Sequence, residues 1–110
     1  MEDPDLHRHI EITDSHGTIA SADVTISTES GRNARVSLRT AAGHISPGIR
    51  ASLVDAVLDL PEVQNSAHLQ AAFPLGDSEM LYRLQQRCKD VKTHPAGTSA
   101  LLEANIAAGH

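Results

Sequence analysis

The spacing of apolar residues changes from strand-like to helix-like part-way along this chain, and that change limits the possible folds more than any other feature. Residues 6–13, 22–28 and 34–40 alternate apolar and polar side chains. The polar stretches "DSHGT" and "ESGRN" separate these runs and are typical of tight turns. Alternation with a period of two and short turns predicts three antiparallel strands, each with one apolar face and one solvent-exposed face.

A helical spacing begins after the third run. Residues 47–60 place Ile49, Leu53 and Val57 on one side of a helix. Pro61 is expected to end this helix, because proline has no N–H group and restricts the residue before it. The stretch "HLQAAFP", residues 68–74, alternates again and predicts a fourth strand that contributes Leu69 and Phe73 to the core.

The last third of the chain predicts a second helix and a final strand. Asp77 is expected to be the N-cap of this helix, since its carboxylate can accept a hydrogen bond from the first turn. Its apolar stripe recurs every three or four residues, at Leu81, Leu84, Cys88 and Val91. The stretch "KTHPAGT" is interpreted as a loop, and "SALLEANI", residues 99–106, as the last strand.

These elements occur in the order β-β-β-α-β-α-β and predict an α+β fold with a mixed sheet of about five strands and two helices. Each helix should connect parallel strands through a right-handed crossover. The helices fit on one face of the sheet or on opposite faces, and a second copy of the chain could cover an exposed face. Residues 1–110 are expected to form a single domain, with loose tails at about 1–5 and 107–110.

Composition narrows the function classes. Only 2% of residues are aromatic and the net charge is −5, which disfavours a nucleic-acid partner held by base stacking or phosphate neutralisation. No apolar run is long enough to span a membrane. The N-terminus is polar and acidic, unlike a signal peptide, so a cytoplasmic location is expected. Cys88 is the only cysteine and is interpreted as a small core residue.

The stretch "SPGIRASLVDAVLDL" offers a candidate anion site at the start of the first helix. Ser46 is suited to be the N-cap and Pro47 to the first helical position. The amide groups of Gly48, Ile49 and Arg50 would point out of the helix, where amides and the helix dipole attract anions. Arg50 would add a full positive charge. The alternative is that these residues only begin a helix.

This stretch, placed after an alternating strand, resembles motif A of the GNAT superfamily of N-acetyltransferases, and "HLQAAFPLGDSEMLYRLQQR" resembles that family's following strand and helix. The resemblance covers roughly residues 20–91 and implies that the first helix begins at a loop which cradles the pyrophosphate of coenzyme A. It implies acetyl-CoA or another acyl-CoA as cofactor, bound by Ser46, Gly48, Ile49 and Arg50. It also implies Tyr82 as a proton donor to the leaving thiolate, although a half-buried Tyr82 covering the sheet edge is the competing interpretation.

The chain departs from the family pattern at its glycine loop. Aligning Gly48 with the first glycine of the family's loop puts Ile45 at a Gln/Arg position and Arg50 at a Gly/Ala position. The family's N-terminal strand-helix-helix portion has no counterpart. We therefore interpret the chain as a non-catalytic GNAT-like domain without a cofactor, acting through protein contacts or homodimerisation. The alternative is a minimal acyl-CoA-dependent N-acyltransferase or an acyl-CoA-binding protein, so the sequence leaves open whether it is an enzyme.

Two other groups of polar residues have competing interpretations. Arg83 and Arg87 on the second helix, with Asp55 and Asp59 on the first, predict either a complementary interaction surface, even between two copies, or ordinary solvated helix faces. The seven histidines are dispersed, and neither an HExxH motif nor a second cysteine accompanies them. They are interpreted as surface residues, so no metal is predicted.

Overall fold

A computed structural model describes residues 6–15, 17–27, 33–41 and 48–106. The strands and helices follow one another as β1 Leu6–Asp14, β2 Gly17–Ser27, β3 Asn33–Thr40, α1 Ile49–Leu58, α2 Pro61–Gln64, β4 His68–Pro74, α3 Ser78–Arg87, β5 Cys88–Ala96 and β6 Ser99–Ile106. The predicted tails at 1–5 and 107–110 lie outside the described residues. Among the residues that the structure describes, no helix has the length and apolar character needed to cross a membrane.

All six strands belong to one mixed sheet with the order β1-β2-β3-β4-β6-β5. β1, β2 and β3 form the predicted antiparallel meander, in which Val24 of β2 lies opposite Val36 of β3. β3 and β4 are parallel neighbours, as expected for strands joined through α1. The predicted α+β class and the mixed sheet are therefore confirmed, with six strands in the described part of the chain instead of about five.

The prediction was wrong in the region after Leu84. The second long helix was expected to run through Val91, but α3 ends at Arg87 and Cys88 begins β5. Residues 92–96 of the stretch interpreted as a loop therefore belong to an edge strand, β5, and Gly97 and Thr98 form the turn that follows it. The final strand, β6, lies between β4 and β5 and is antiparallel to both, so the predicted parallel arrangement of β4 and the final strand is also wrong. The strand that follows α3 is β5, which runs parallel to β4 but is separated from it by β6.

The boundaries of the first helix also differ from the prediction. α1 begins at Ile49, with Gly48 as its N-cap, and ends at Leu58. Pro61 does not stop α1 but begins the short helix α2, a position where its missing N–H leaves no hydrogen bond unmade. Asp77 is the N-cap of α3, as predicted, and accepts a hydrogen bond of 3.1 Å from the amide of Met80.

One face of the sheet is apolar and carries the helices. α1 and α3 lie on this face, because ion pairs join them directly and their apolar sides pack against the strands. Of the predicted core, six residues are buried: Leu53, Val57, Leu69, Phe73, Leu84 and Cys88. Leu81 is only partly buried, and Met80 is the fully buried residue of that turn. The opposite face is polar, with exposed side chains such as Arg35, Gln70 and Glu103.

Candidate functional site

β3 and β4 separate at their carboxyl ends and leave a groove. The parallel pairing runs from Asn33–His68 to Ser37–Ala72, whereas β3 continues to Thr40 and β4 to Pro74. A groove of about 460 Å³ opens where the pairing stops, between the ends of the two strands. A further depression of about 390 Å³ extends from Thr40 and Pro74 to the start of α1 and α3. The geometry thus places a cleft beside the predicted anion site.

The start of α1 is occupied by a side chain of the protein itself. One carboxylate oxygen of Glu79 accepts hydrogen bonds from the amide of Gly48 at 3.2 Å and from the amide of Ala51 at 3.0 Å. Gly48 has a φ of 90°, in the left-handed region that glycine adopts without strain. A carboxylate at a helix N-terminus satisfies unpaired amides and interacts favourably with the helix dipole.

The basic side chain of the predicted site is also paired within the chain. The Nε of Arg50 lies 2.9 Å from a carboxylate oxygen of Asp77, whose side chain is only 7% exposed. Because Asp77 also caps α3, this ion pair connects the first turns of α1 and α3. Two carboxylates from the start of α3 therefore neutralise the positive charge that the start of α1 would offer an anion.

The four residues predicted to bind a cofactor are not equivalent. Gly48 and Arg50 interact with internal carboxylates, whereas Ile49 is partly buried and packs against the core. The N-cap of α1 is Gly48, so the prediction of Ser46 as the N-cap is wrong, and Ser46 itself lies outside the described residues. Sequence reasoning missed the role of Glu79, because an acidic residue in the first turn of a helix signals interaction with the amides of its own helix, whereas Glu79 of α3 binds those of α1.

Tyr82 lies on α3 and is 64% exposed. The interpretation of a half-buried tyrosine that covers the sheet edge is therefore wrong. The exposed phenol remains sterically available to a ligand or a partner.

An ion-pair network joins α1 to α3. Arg83 donates two hydrogen bonds to the carboxylate of Asp55, at 2.7 and 2.8 Å, and Arg87 binds Asp55 at 3.0 Å and Asp59 at 2.8 Å. The hydrogen bonds from Arg83 lower the pKa of the Asp55 carboxyl. These charges are paired within one chain, which differs from both interpretations made from the sequence.

Among the residues that the structure describes, neither Cys88 nor a histidine is part of a catalytic arrangement. Cys88 is 8% exposed at the start of β5, and burial raises the pKa of its thiol, which disfavours the nucleophilic thiolate. His9 lies 2.6 Å from Asp23 and 2.9 Å from Glu11, and the hydrogen bond with Asp23 raises the pKa of the imidazole. Among the described residues, no group of three or more His, Cys, Asp or Glu is arranged to hold a metal ion.

A polar depression of about 710 Å³ lies on the exposed face of the sheet, at the amino-terminal ends of β3 and β4. Asn105 connects two of its residues, since it donates to Asp90 at 2.9 Å and its side-chain oxygen lies 2.8 Å from a ring nitrogen of His68. Sequence reasoning did not single out this group, because its members come from three strands that only the sheet order brings together.

Comparison with known proteins identifies the fold. A scan against protein families and a search of curated proteins by sequence find no match. The structure, however, matches that of an acetyltransferase of the GNAT family from Streptococcus pneumoniae with a TM-score of 0.65, covering 94% of this chain and 67% of that one. The chain has a GNAT-like fold. The sequence identity in this match is 9%.

A second solved structure supports the GNAT-like fold. A ribosomal-protein-alanine N-acetyltransferase from Brucella melitensis matches with a TM-score of 0.63 at 11% identity, covering 91% of this chain and 68% of that one. The resemblance predicted over residues 20–91 thus extends over most of the chain. At these identities the similarity describes the backbone arrangement, and the chemistry has to be argued from the side chains present.

Proposed function

We propose that this chain is a non-catalytic GNAT-like domain that works in the cytoplasm through protein contacts, including contacts with a second copy of itself. The observation that carries the proposal is the Glu79 carboxylate on the amides of Gly48 and Ala51. A pyrophosphate at this helix start would have to displace that carboxylate and lie close to its charge. In the Arg50–Asp77 pair, a second carboxylate neutralises the cation that would attract the pyrophosphate.

The surface and composition agree with a role in contacts. The sheet is covered by helices on one face, and its other face presents exposed polar residues such as Arg35 and Glu103. The single cysteine allows no disulfide within this chain, which fits the reducing cytoplasm.

The alternative is an acyl-CoA-binding protein or a minimal acyl-CoA-dependent N-acyltransferase. One observation favours it: β3 and β4 separate beyond Ser37 and Ala72, where a groove of about 460 Å³ opens, and a neighbouring depression of about 390 Å³ reaches the start of α1. The exposed phenol of Tyr82 would be its candidate proton donor. This function requires Glu79 to leave the amides when the cofactor binds.

Calorimetric titration of coenzyme A at low salt, with amide chemical shifts recorded in parallel, separates the two functions. The unmodified chain is expected to show no saturable binding at millimolar ligand, because the amides of Gly48 and Ala51 are already hydrogen-bonded. Glu79→Ala frees these amides and should produce weak binding that decreases as salt rises, since the attraction is partly screened.

Glu103→Ala is the matched control, because it removes the same group from an exposed position on the opposite face of the sheet. It should behave like the unmodified chain. Saturable micromolar binding by the unmodified chain, with shifts at residues 48–51, would contradict the proposal and favour the acyl-CoA function. A Tyr82→Phe variant would then show whether acetyl transfer depends on the phenol.

A further inference from the structure

The two edges of the sheet differ in how well they are protected against pairing with another strand. β5, at one edge, has a register shift between Lys89 and Lys92, and within it Asp90 has a φ of 55°. Both lysines are exposed, and Pro95 removes one backbone donor. Bulges, lysines and prolines are the features that prevent an edge strand from adding a neighbour.

β1, at the other edge, has little of this protection. Its nine residues, Leu6–Asp14, include neither lysine nor proline, and its one register shift lies near its end, between Ile12 and Thr13. β2 pairs with one side of β1, and no strand of the described ranges pairs with the other side. In such an edge strand, alternate residues direct their N–H and C=O groups away from the sheet. Leu6 is also 45% exposed.

We propose that β1 is the surface through which two copies of this chain associate, forming a continuous sheet with antiparallel β1 strands and Ile10 at the two-fold axis. This inference rests on the proposed function only in that the chain acts through protein contacts. A two-fold axis perpendicular to the sheet keeps the helices of both copies on the same side. Two residues that are paired across the two β1 strands have their side chains on the same side of the sheet. The residue numbers of each such pair therefore add up to an even number.

Each possible register has one residue of β1 on the two-fold axis, opposite the same residue of the second copy, and this residue is its centre. Charge selects among the three registers with centres near the middle of β1. A centre at residue 9 places His9 opposite His9 of the second copy, and a centre at residue 11 places Glu11 opposite Glu11. A centre at Ile10, the midpoint of Leu6–Asp14, places each His9 opposite Glu11 of the second copy. Opposite charges that face each other across strands stabilise a pair, and like charges destabilise it.

The contacts within one chain favour a charged His9. Both ring nitrogens face carboxylates, at 2.6 Å from Asp23 and 2.9 Å from Glu11, and both can donate only when the ring is protonated. The side chains of His9 and Glu11 are still 49% and 47% exposed, so each can interact with a second copy. The pair of strands would carry an alternating square of two imidazolium and two carboxylate groups.

Sedimentation velocity over a range of concentrations tests this interface. The unmodified chain is expected to form a dimer that dissociates on dilution. His9→Glu puts carboxylates opposite Glu11, and Glu11→Lys puts ammonium groups opposite His9, so each variant should weaken the dimer by roughly tenfold or more.

Mixing the two variants in equal amounts should restore dimers. In the mixed dimer, the carboxylate introduced at position 9 of one chain faces the ammonium group introduced at position 11 of the other. The unchanged Glu11 of the first chain faces the unchanged His9 of the second, so both pairs join opposite charges.

The control Glu103→Lys makes the same charge change on β6, away from β1, and should leave the dimer intact. A chain that stays monomeric, variants that still form dimers alone, or a mixture that stays monomeric would overturn the inference. The proposed function is tested separately, since its coenzyme A titration does not depend on the outcome at β1.

Discussion

Replacing Leu84 by alanine is expected to lower the free energy of unfolding by about 2–5 kcal/mol, the range typical of buried leucines. Leu84 is 2% exposed on the inner side of α3 and faces the same narrow gap in the core as Val57 of α1 and Leu69 of β4. Removing its isobutyl group leaves a cavity where α1 and α3 both pack against the sheet. Urea denaturation followed by circular dichroism gives the change directly.

Leu75→Ala is the matched control for this prediction. Leu75 lies between β4 and α3 and is 53% exposed, so the same chemical change should alter the free energy of unfolding by no more than about 0.5 kcal/mol. Equal effects at the two positions would show that α3 packs on the sheet through a face other than the one that contains Leu84.

Replacing Asp55 by alanine is expected to lower the free energy of unfolding by about 1–2 kcal/mol at neutral pH. Asp55 accepts three hydrogen bonds from Arg83 and Arg87, and its side chain is 31% exposed, so solvent reduces their contribution. The comparison variant is Asp59→Ala, since Asp59 is 61% exposed and has one arginine contact, and its effect should be smaller.

The effect of Asp55 should depend on pH in a defined direction. The hydrogen bonds from Arg83 lower the pKa of the carboxyl in the folded chain, so its contribution is complete above the ordinary pKa of about 3.9. The contribution is lost as the pH falls through the lowered value. The difference between the unmodified chain and Asp55→Ala should therefore be constant from about pH 5 to 7 and decrease below about pH 4. A difference that grows on acidification would contradict this assignment.

Local patterns were enough to predict five of the six strands in the described ranges and the crossover from β3 through α1 to β4. The alternation in residues 22–28 and 34–40 predicted β2 and β3. A strand with one exposed face alternates apolar and polar side chains whichever strands lie beside it. Asp77 was recognisable as an N-cap because its hydrogen bond reaches only three residues along the chain. Leu53 and Val57 were recognisable as core residues through their helical spacing.

The sequence did not predict β5, because the pattern of apolar residues in this strand depends on its place at the edge of the sheet. An edge strand that buries only Cys88 at its start and partly buries Val91 needs no alternation of apolar residues. Cys88 also stands four residues after Leu84, a spacing that continues the helical pattern by coincidence. Pairing with β6, rather than any local preference, makes this segment a strand.

The sequence by itself determined the fold class, the order of its first elements, the apolar side of each and the presence of a glycine and an arginine at the start of α1. Only the tertiary structure decided what that helix start contacts. Glu79 and Asp77 reach Gly48 and Arg50 because α1 and α3 lie side by side on one face of the sheet. The same arrangement decided that Asp55 binds Arg83 and Arg87. Such contacts join residues about thirty positions apart, and no local pattern encodes which side chains two packed helices bring within hydrogen-bonding distance.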